Sequence, residues 1–539
     1  MNTGNGTIPA LETSLLGKAE QSHASCGIVT IRGRNGLLSI DRDNVVEFAT
    51  NTGTKSFMAR QGCCGTTEQQ LQVKEDELIG ATVEKGDGIK LWYCTLSKSN
   101  SGQDIRYLRK SAVFTCTSAQ AAQKTVNLLR NLGSPCKCNF GKRLLVVINP
   151  HSGRGMAYKA YNNFVESIFD AAGFEVVVHV TQYAGHATEI VREASLEQFQ
   201  AVVAVGGDGT AFEVLQGYFK VPDWQQRIKT PFCLVPSGSG NALSANCGLW
   251  SAVTAAHAVC KGKQRPIDIF SVLQAQGQRF YAFLSIYYGM MANLDRGTEH
   301  LRWMGPVRFT IGALLEVLQR KKYAARVAFV RTADAGSQLP SGHAGKSQEA
   351  GQEKGSGMNG SQMGEHRSMN GGQMGEHRSM NGGQMGEHRS MNGSTASHGP
   401  ATVLLDDLGD LSQLDLCNAN SLPQGWQMLP HDETSFFAAV SLPLLDFNSR
   451  TGPQAGFDTG CLDLMYVADL KSRKEGLEFL DAAGKGKHLE LTNCLLEKVV
   501  ALIIEPLSPG TWLVVDGEDI DYRRVFVEVH PKLCSVIVA

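Results

Sequence analysis

The stretch VVAVGGDGTAFEVLQG, residues Val202–Gly217, changes character in its middle. A continuous apolar run gives way to three glycines around one acid, and an amphipathic pattern begins near Thr210. This order predicts a buried strand, a tight turn and a helix, with backbone N–H groups that converge on an anion. Asp208 is the charged side chain of that turn, and ligands of open α/β sheets bind at the carboxyl ends of strands. The motif alone fits both a phosphate-binding turn and a turn closed by a capping Asp.

The whole chain has 539 residues, 14 cysteines and a formal net charge of −1. That length supports two or three domains with full cores. The near-zero charge argues against a nucleic-acid-binding polyelectrolyte, so we predict no nucleic-acid partner. The cysteines lack zinc-type spacing, which favours reduced thiols in the cytosol. No signal-peptide pattern opens the chain and no stretch of about 20 residues is uniformly apolar, so we expect a soluble, cytoplasmic protein.

Two domains are predicted on the N-terminal side of the chain. Residues 1–23 are polar, and we expect them to be disordered. Residues 24–138 alternate short β-type runs with turns and end in one helix, which is expected to start at Thr117 and to stop at Gly133. This favours a β-rich domain of pleckstrin-homology type, either a reader of lipid or protein or a packing domain. Residues 142–265 alternate strand and helix patterns, which predicts a doubly wound α/β lobe with a parallel sheet.

A second, mainly antiparallel β-sandwich lobe is predicted from residues 266–331 and 425–539, where β-type runs dominate. Two of these runs, 525–529 and 534–538, are expected to be separate strands. The polar insert 332–424 divides the lobe and repeats MNG(S/G)QMGEHRS with an eleven-residue step. Paired glycines and the lack of an apolar stripe favour disorder over a coiled coil.

Three further loops follow predicted strands of the α/β lobe. NPHSGRG at 149–155 follows the first strand, TQYAG at 181–185 the second, and GSG at 238–240 the fourth. Together with the GGDG turn, these glycine- and hydroxyl-rich loops predict a cradle for a polyphosphate. The loops match neither the Walker pattern nor the G-x-G-x-x-G fingerprint of dinucleotide sites.

In their identity, order and spacing, these residues resemble the diacylglycerol kinase-type lipid kinases, and among them most closely the sphingosine kinases. The GGDG turn is followed by the pair Glu213-Val214, with an N-P-x-x-G-x-G loop upstream and PSGSGNAL downstream. The likeness continues through YGMMANLD at 288–295, RWMGPVRFT at 302–310 and VDGE at 515–518. It covers about residues 142–330 and 432–539, and the protein-kinase HRD and DFG signatures are absent.

The resemblance implies that ATP binds with Mg²⁺ in the first lobe, at the cleft between the lobes. It implies that Asp208 takes the proton of an attacking lipid hydroxyl, since phosphoryl transfer needs one acceptor for that proton. Arg302 and Arg308 would reach the phosphates from the second lobe. The residues implied to line the nucleotide site are Asn149, Pro150, His151, Gly153, Arg154, Gly155, Thr181, Gln182, Tyr183, Ala184, Gly185, Gly206, Gly207, Gly209, Glu213, Gly238, Ser239 and Gly240.

The same resemblance assigns acids of the second lobe. Asp516 and Glu518, with Gly517 between them, would hold Mg²⁺ or nucleotide. Asp295 would receive the amino group of a sphingoid base, because a carboxylate facing an ammonium discriminates against uncharged lipids. Asn293 stands where a second acid is often found, which leaves one negative charge fewer near that amine.

The implied reaction is ATP-dependent phosphorylation of the primary hydroxyl of sphingosine or a related base, giving sphingosine 1-phosphate and ADP. The alternatives are a ceramide or diacylglycerol kinase and a catalytically silent module that binds lipid or protein. Segment 312–326 pairs apolar residues with a basic cluster, which suits a calmodulin target, an anionic membrane surface or the solvent-facing end of a packed helix. Reversible, peripheral membrane contact is expected. The apolar channel for the lipid chain is expected to be lined by Phe283, Ile286, Met290, Met291, Leu294, Phe309 and Leu314.

Overall fold

The structure is a computed structural model, and it describes most of the chain outside the N-terminus and the polar insert. Residues 1–23 and almost all of the 332–424 insert, both expected to be disordered, lie outside the described residues. Gly238, Ser239 and Arg302 also lie outside them, as do the side chains of Arg154 and Phe309. The described ranges are 24–31, 34–40, 44–50, 70–98, 105–134, 141–237, 240–274, 277–298, 307–332, 414–418, 422–447 and 449–539.

The N-terminal part is an antiparallel sheet of seven described strands in the order β4-β3-β2-β1-β7-β6-β5. Helix α1 (Ala119–Gly133) packs its apolar side, including Val126 and Leu129, into the core of this sheet. Ser118 caps the helix by accepting the Ala121 N–H, so the expected start at Thr117 is one residue early. The strands are β1 Ala24–Ile31, β2 Arg34–Ile40, β3 Val46–Thr50, β4 Gln70–Val73, β5 Leu78–Val83, β6 Gly88–Lys98 and β7 Ile105–Thr115.

The middle of the chain alternates strands and helices, and its four strands pair in parallel in the order β9-β8-β10-β11. The strands are β8 Arg143–Ile148, β9 Glu175–Val180, β10 Ala201–Gly206 and β11 Phe232–Pro236. The helices are α2 Ser152–Gly155, α3 Ala157–Ala160, α4 Glu166–Ala172, α5 His186–Glu193, α6 Asp208–Phe219, α7 Trp224–Arg227, α8 Ala242–Asn246 and α9 Ala252–Lys261. A π-helical segment, Tyr161–Val165, precedes α4, and a 3-10 turn, Leu196–Gln198, precedes β10. Helix α6 therefore begins at Asp208, two residues before the expected Thr210.

The rest of the chain is mainly antiparallel strands. They are β12 Gln264–Gln274, β13 Arg279–Ala282, β14 Ser285–Tyr288, β15 Tyr323–Arg331, β16 Trp426–Met428, β17 Glu433–Thr434, β18 Phe436–Val440, β19 Leu462–Val467, β20 Leu495–Pro506, β21 Leu513–Val515, β22 Glu518–Asp519 and β23 Val525–Ile537. The helical segments are α10 Met290–Ala292, a π-helical turn Asn293–Gly297, α11 Val307–Gln319, α12 Arg473–Gly484 and a 3-10 turn His488–Glu490. Among the described residues, no helix is both long enough and apolar enough to cross a bilayer.

Strand β23 connects the parallel and antiparallel regions into one mixed sheet of 16 described strands. It pairs in parallel with β11 and antiparallel with β12 and β20. Its first half, with Val525 and Val527, lies in the core of the antiparallel region, and its last residues, with Val536 and Ile537, lie in the core of the α/β region. One strand therefore contributes to both cores.

The expectation of two strands at 525–529 and 534–538 is corrected by this single strand, which carries a bulge in its middle. The register with β12 shifts there, and Lys532 has a positive φ of 55°. The buried carboxylate of Asp268 holds the bulge by accepting the N–H groups of Lys532 at 2.7 Å and Gly460 at 2.6 Å. The bulge accommodates Pro531, which has no N–H for the ladder.

The N-terminal sheet is joined to helix α9 by polar contacts at a packed interface. Lys261 Nζ donates to the backbone carbonyls of Glu75, Leu78 and Gly133 at 2.5 to 2.9 Å. The His257 ring stacks on Tyr107 at 4.1 Å, and its Nε2 lies 2.7 Å from the Asp76 carbonyl. These contacts tie both the sheet and the end of α1 to α9.

Candidate active site

The carboxyl ends of the parallel strands lie at one edge of the sheet, because their registers are aligned. Ile148, at the end of β8, pairs with Val205 on one side and with Val180 on the other. The loops that begin at residues 149, 181 and 237 therefore leave the sheet beside the GGDG turn. The structure brings together the loops that the sequence predicts to form one cradle.

The GGDG turn is packed so closely that glycine is required at two of its positions. A Cβ on Gly207 would lie 2.7 Å from the carbonyl oxygen of Gly240, which also accepts the Asp208 N–H at 3.1 Å. A Cβ on Gly206 would lie 2.3 Å from Thr210 Oγ1. Any larger residue would displace the turn, so the glycines let the backbones of two loops touch.

Asp208 lies at the centre of this arrangement and is 9% exposed. Its Oδ2 accepts the Ala242 N–H at 2.7 Å, and its Oδ1 accepts the Leu243 N–H at 3.0 Å, both at the start of α8. Burial raises the pKa of Asp208 to about 6, although the two hydrogen bonds lower it. The charges of Asp446 and Asp295 raise it further. The carboxylate is fixed in orientation and holds a proton more readily than an exposed Asp.

Two other residues near the GGDG turn, Asn149 in a loop and Glu213 on α6, bind neighbouring backbone and hydroxyl groups. Asn149 accepts the His151 N–H at 3.0 Å through Oδ1, and its Nδ2 lies 3.3 Å from Thr210 Oγ1. Glu213 Oε2 accepts the Ala187 N–H at 3.2 Å, which ties α6 to the start of α5. Burial raises the pKa of Glu213, while this kind of hydrogen bond lowers it. Both side chains stiffen the cradle walls.

The loop at 181–185 carries an exposed aromatic side chain. Tyr183 is 53% exposed, stacks on the His186 ring at 4.6 Å and hydrogen-bonds Glu189. Gly185 ends the loop with a φ of 86° at the start of α5. The implied nucleotide contacts of Thr181, Gln182, Tyr183 and Ala184 remain predictions.

Asp516 follows β21 in the antiparallel region and is only 3% exposed. Its two oxygens accept the N–H groups of Phe283, Leu284 and Ser285 at 2.8 to 2.9 Å. Burial raises the pKa of Asp516 to about 7 against these donors, and the charge of Asp208 contributes to the rise. Asp516 itself has a positive φ of 51°. Its carboxylate is engaged by main-chain donors, so it anchors the turn that presents Gly517 and Glu518.

Glu518 extends from that turn toward the GGDG turn of the α/β region. Its Oε1 would lie 2.9 Å from a Cβ built on Gly209, so the carboxylate covers the GGDG turn directly. Loss of hydration raises the pKa of Glu518 to about 7, opposed by the guanidinium of Arg296. Arg296 in turn pairs with Asp519 at 2.5 Å. Glu518 is therefore, among the acids of the antiparallel region, the one best placed to face a ligand on the GGDG turn.

Asp295 lies in the π-helical turn Asn293–Gly297, near the same place. Its Oδ2 would be 3.8 Å from a Cβ built on Gly517, and its charge raises the pKa values of Asp208 and Glu518. The structure thus gathers Asp208, Asp295 and Glu518 from distant parts of the chain. Arg308 is buried, and its Nη1 donates to the Thr298 carbonyl at 3.3 Å, so its contact with phosphate stays a prediction.

The acids suit Mg²⁺, which prefers carboxylate oxygens together with phosphate and water. Over the described part of the chain, however, three or more His, Cys, Asp or Glu side chains nowhere come together in a way that would hold a metal ion by themselves. A magnesium ion at this site would depend on phosphate oxygens for part of its coordination. That donor set fits a nucleotide-bound ion.

No sequence motif points to Asp446, whose charge acts on Asp208 from the loop after β18. Its position depends on tertiary packing, since more than two hundred residues separate the two acids in the chain. Leu314, expected to line the lipid channel, is 42% exposed on α11 and is corrected to a surface residue. Phe283, Ile286 and Met290 are buried in the hydrophobic cores, so their role in a lipid channel stays a prediction.

Comparison with known proteins identifies the region that carries this site. Residues 143–272 match the diacylglycerol kinase catalytic domain. Sphingosine kinase 1 of Rattus norvegicus is 24% identical over 402 residues, which cover 72% of this chain and 89% of that protein. Sphingosine kinase 2 of Homo sapiens is 27% identical over 473 residues, covering 73% and 71%. Sphingoid long chain base kinase 5 of Saccharomyces cerevisiae is 30% identical over 410 residues, covering 74% and 59%. These matches identify a diacylglycerol kinase catalytic domain at residues 143–272 of a lipid kinase whose sequence is similar to the sphingosine kinases.

Proposed function

We propose that the chain is an ATP-dependent kinase of sphingoid bases, which phosphorylates the primary hydroxyl of sphingosine to give sphingosine 1-phosphate and ADP. The observation that carries the proposal is that Asp208 and Asp295 come together from distant parts of the chain. Asp295 Oδ2 would lie 3.8 Å from a Cβ built on Gly517, beside the Glu518 carboxylate that covers the GGDG turn, and the charge of Asp295 raises the pKa of Asp208. Asp208 then accepts the proton of the hydroxyl, and Asp295 binds the amine. Relatives of this chain are named for sphingosine and sphingoid bases, which supports the choice of substrate.

In this proposal Asp208 accepts the proton of the lipid hydroxyl, and the hydroxyl oxygen attacks the terminal phosphorus while ADP leaves. Bound ATP supplies the phosphoryl group, and the accompanying Mg²⁺ neutralises phosphate charge. The N–H groups of the GGDG turn and of the loop at 149–155 orient the phosphates. Glu518, rather than Asp516, is proposed to meet the magnesium ion, because the Asp516 oxygens already accept three backbone hydrogen bonds.

Substrate preference provides the test of this function. Wild-type protein should phosphorylate sphingosine faster than ceramide or diacylglycerol, because only sphingosine carries an ammonium group for Asp295. Replacing Asp295 by Ala should reduce kcat/KM for sphingosine by about 10² and largely remove the preference, since a charge-assisted contact contributes about 1.5–3 kcal/mol. The measurement is radiolabelled phosphate transfer to each lipid in mixed micelles.

Asp481 provides a matched control for the Asp295 substitution. It is an exposed acid on α12 that pairs with Lys485, remote from the site, so Asp481→Ala should leave all three rates unchanged. If wild-type protein prefers ceramide or diacylglycerol, the sphingoid-base assignment is wrong and the neighbouring kinase assignment replaces it. If the protein consumes ATP with none of these lipids, a silent binding module becomes the better assignment.

Helix α11 supports a further proposal, reversible peripheral contact with membranes. Leu314, Leu315 and Leu318 are 42%, 52% and 41% exposed, and the basic residues 320–322 follow them. An apolar strip beside cations suits the surface of an anionic bilayer. Calmodulin, the other partner predicted for segment 312–326, would use the same leucines and is proposed only as an alternative.

Sedimentation with vesicles tests the membrane proposal. Wild-type protein should sediment with phosphatidylserine-containing vesicles at low salt, and changing Leu314, Leu315 and Leu318 together to Ser should reduce the bound fraction at least fivefold. The control changes Leu96, Leu108 and Val113 to Ser, because these N-terminal side chains are equally exposed at 53% to 55%. Equal loss in both variants, or no binding by wild-type protein, would contradict a docking role for α11. Calcium-dependent capture by calmodulin would favour the alternative.

The domain organisation is part of the same proposal. The seven-stranded sheet with its single helix supports a pleckstrin-homology-like domain over 24–138. We propose the ATP-binding lobe over 142–265, the lipid-binding lobe over 266–331 and 425–539, and a disordered insert over 332–424. A cytoplasmic location with transient membrane association follows from the proposed activity.

A further inference from the structure

The π-helical turn Asn293–Gly297, which carries Asp295, is held from three directions. The Gly289 carbonyl accepts the Asn293 N–H at 2.9 Å, and Gly289 itself leaves no space for a side chain, since a Cβ there would lie 2.6 Å from the Tyr323 ring. Gly312 on α11 also brings that helix close to the turn, because its Cβ would lie 2.7 Å from Thr298 and 3.0 Å from Leu294. π-Helical turns are frequent at functional sites. The position of Asp295 is therefore set by its neighbours.

The side-chain amide of Asn293 is the polar centre of these contacts. Its Nδ2 donates to Glu316 Oε1 at 3.1 Å and to the Tyr323 hydroxyl at 2.6 Å. The same Tyr323 hydroxyl donates to Glu316 Oε2, and Thr511 Oγ1 donates to Asn293 Oδ1 at 2.8 Å. Burial, together with the Glu316 charge, raises the pKa of the Tyr323 hydroxyl, which keeps it a donor. The amide is fixed by three partners and cannot rotate without losing them.

Glu316 supplies the negative charge of this cluster. Its side chain is 12% exposed, and both oxygens accept hydrogen bonds from the cluster. Lys321 Nζ lies 3.8 Å from Oε1, but the lysine side chain is half exposed, so solvent screens the pair. The poorly hydrated Glu316 carboxylate is thus hydrogen-bonded directly to Asn293, which begins the turn that carries Asp295.

We propose that Glu316, acting through Asn293, is a positioning residue for recognition of the substrate amine. The inference rests on the proposed sphingoid-base activity. Glu316 orients the turn that carries Asp295 and adds the second negative charge that an ammonium favours, although residue 293 itself is neutral. Residue 293 carries no charge itself, and the Glu316 carboxylate places a negative charge 3.1 Å from Asn293 Nδ2. Where water is largely excluded, the Coulomb attraction between the Glu316 carboxylate and the ammonium of the substrate extends beyond direct contact.

Two single substitutions separate charge from shape. Glu316→Gln keeps the size and an acceptor for Tyr323 but removes the charge, so KM for sphingosine should rise about tenfold while kcat stays within twofold. The rate on diacylglycerol, which has no amine, should not change. Asn293→Asp places a second carboxylate against Glu316, and this like-charge contact should cost activity and stability.

The double variant Asn293→Asp with Glu316→Gln provides the decisive measurement. This variant has one carboxylate and one amide in exchanged positions. Its KM for sphingosine should therefore return most of the way to the wild-type value, and its urea midpoint should exceed that of Asn293→Asp alone. Unchanged sphingosine KM in Glu316→Gln, with wild-type protein active on sphingosine, would overturn this inference alone. Equal losses on sphingosine and diacylglycerol would also overturn it, because they indicate a structural role. Wild-type protein inactive on sphingosine would overturn the proposed function and this inference together.

Discussion

Replacing Asp208 by Asn is expected to lower kcat on sphingosine by about 10³, because general-base catalysis contributes about 10² to 10⁴ and an amide cannot accept the proton. ATP binding should stay within about twofold, since the N–H groups of the turn remain. The measurements are steady-state kinetics in mixed micelles and titration with a fluorescent ATP analogue. For wild-type protein, kcat/KM should fall as the pH is lowered through about 6, where Asp208 becomes protonated. Asp516 and Glu518, whose pKa values burial raises to about 7, titrate in the same pH range, so this fall in kcat/KM belongs to the group of acids rather than to Asp208 alone.

A control is needed because Asp208 also has a structural role. Its carboxylate accepts two backbone N–H groups, and an Asn at this position would turn an NH₂ group toward one of them. Asp268 is a buried acid outside the site that likewise accepts two N–H groups. Asp268→Asn should therefore destabilise the protein to a similar degree and leave kcat near the wild-type value. Near-wild-type turnover by Asp208→Asn would show that another group accepts the proton.

The largest effect on stability is expected for Lys261→Met, which should lower the free energy of unfolding by about 3 kcal/mol. Three backbone carbonyls would lose their ammonium donor at the interface between the N-terminal sheet and α9, and each buried acceptor left unpaired costs about 1–3 kcal/mol. Methionine preserves the length of the side chain, so lost hydrogen bonds dominate the change. Urea denaturation followed by tryptophan fluorescence measures it.

Lys263 is the matched control for this substitution. It lies two residues further along, is exposed and donates only to the Ala539 carbonyl, at 3.1 Å, among the hydrogen bonds of the described residues. Lys263→Met should shift stability by at most about 0.5 kcal/mol. If both variants unfold at the wild-type midpoint, the interface contributes little and the N-terminal sheet behaves as an independent domain.

Local patterns predicted much of the fold. The apolar run before the GGDG turn predicted β10, and the amphipathic pattern after it predicted α6. The alternation of strand and helix patterns predicted the parallel pairing. These features could be predicted because they depend on the pattern of residues close together in the sequence. The helix cap shifted from Thr117 to Ser118, since both side chains can accept the same kind of hydrogen bond. Errors of one or two residues are typical where adjacent residues compete for a role.

Contacts between distant residues could not be predicted in the same way. The bulge lets β23 continue past Pro531 as a single strand. It is held by Asp268, which lies 264 positions before Lys532 in the sequence. The partners of Asn293 come from α11, β15 and the loop before β21, and no spacing in the sequence joins them. The anchoring role of Asp516 likewise appears only when the N–H groups at 283–285 are seen to converge on it.

The dual membership of β23 has a consequence for biosynthesis. It follows the other strands in chain order, yet it inserts between β20 and β11 in the mixed sheet. During translation, one edge of β11 therefore stays unpaired until the residues of β23, up to 537, have left the ribosome. An exposed strand edge of this kind invites pairing with other nascent chains, so the interval before β23 emerges is when chaperone protection matters most.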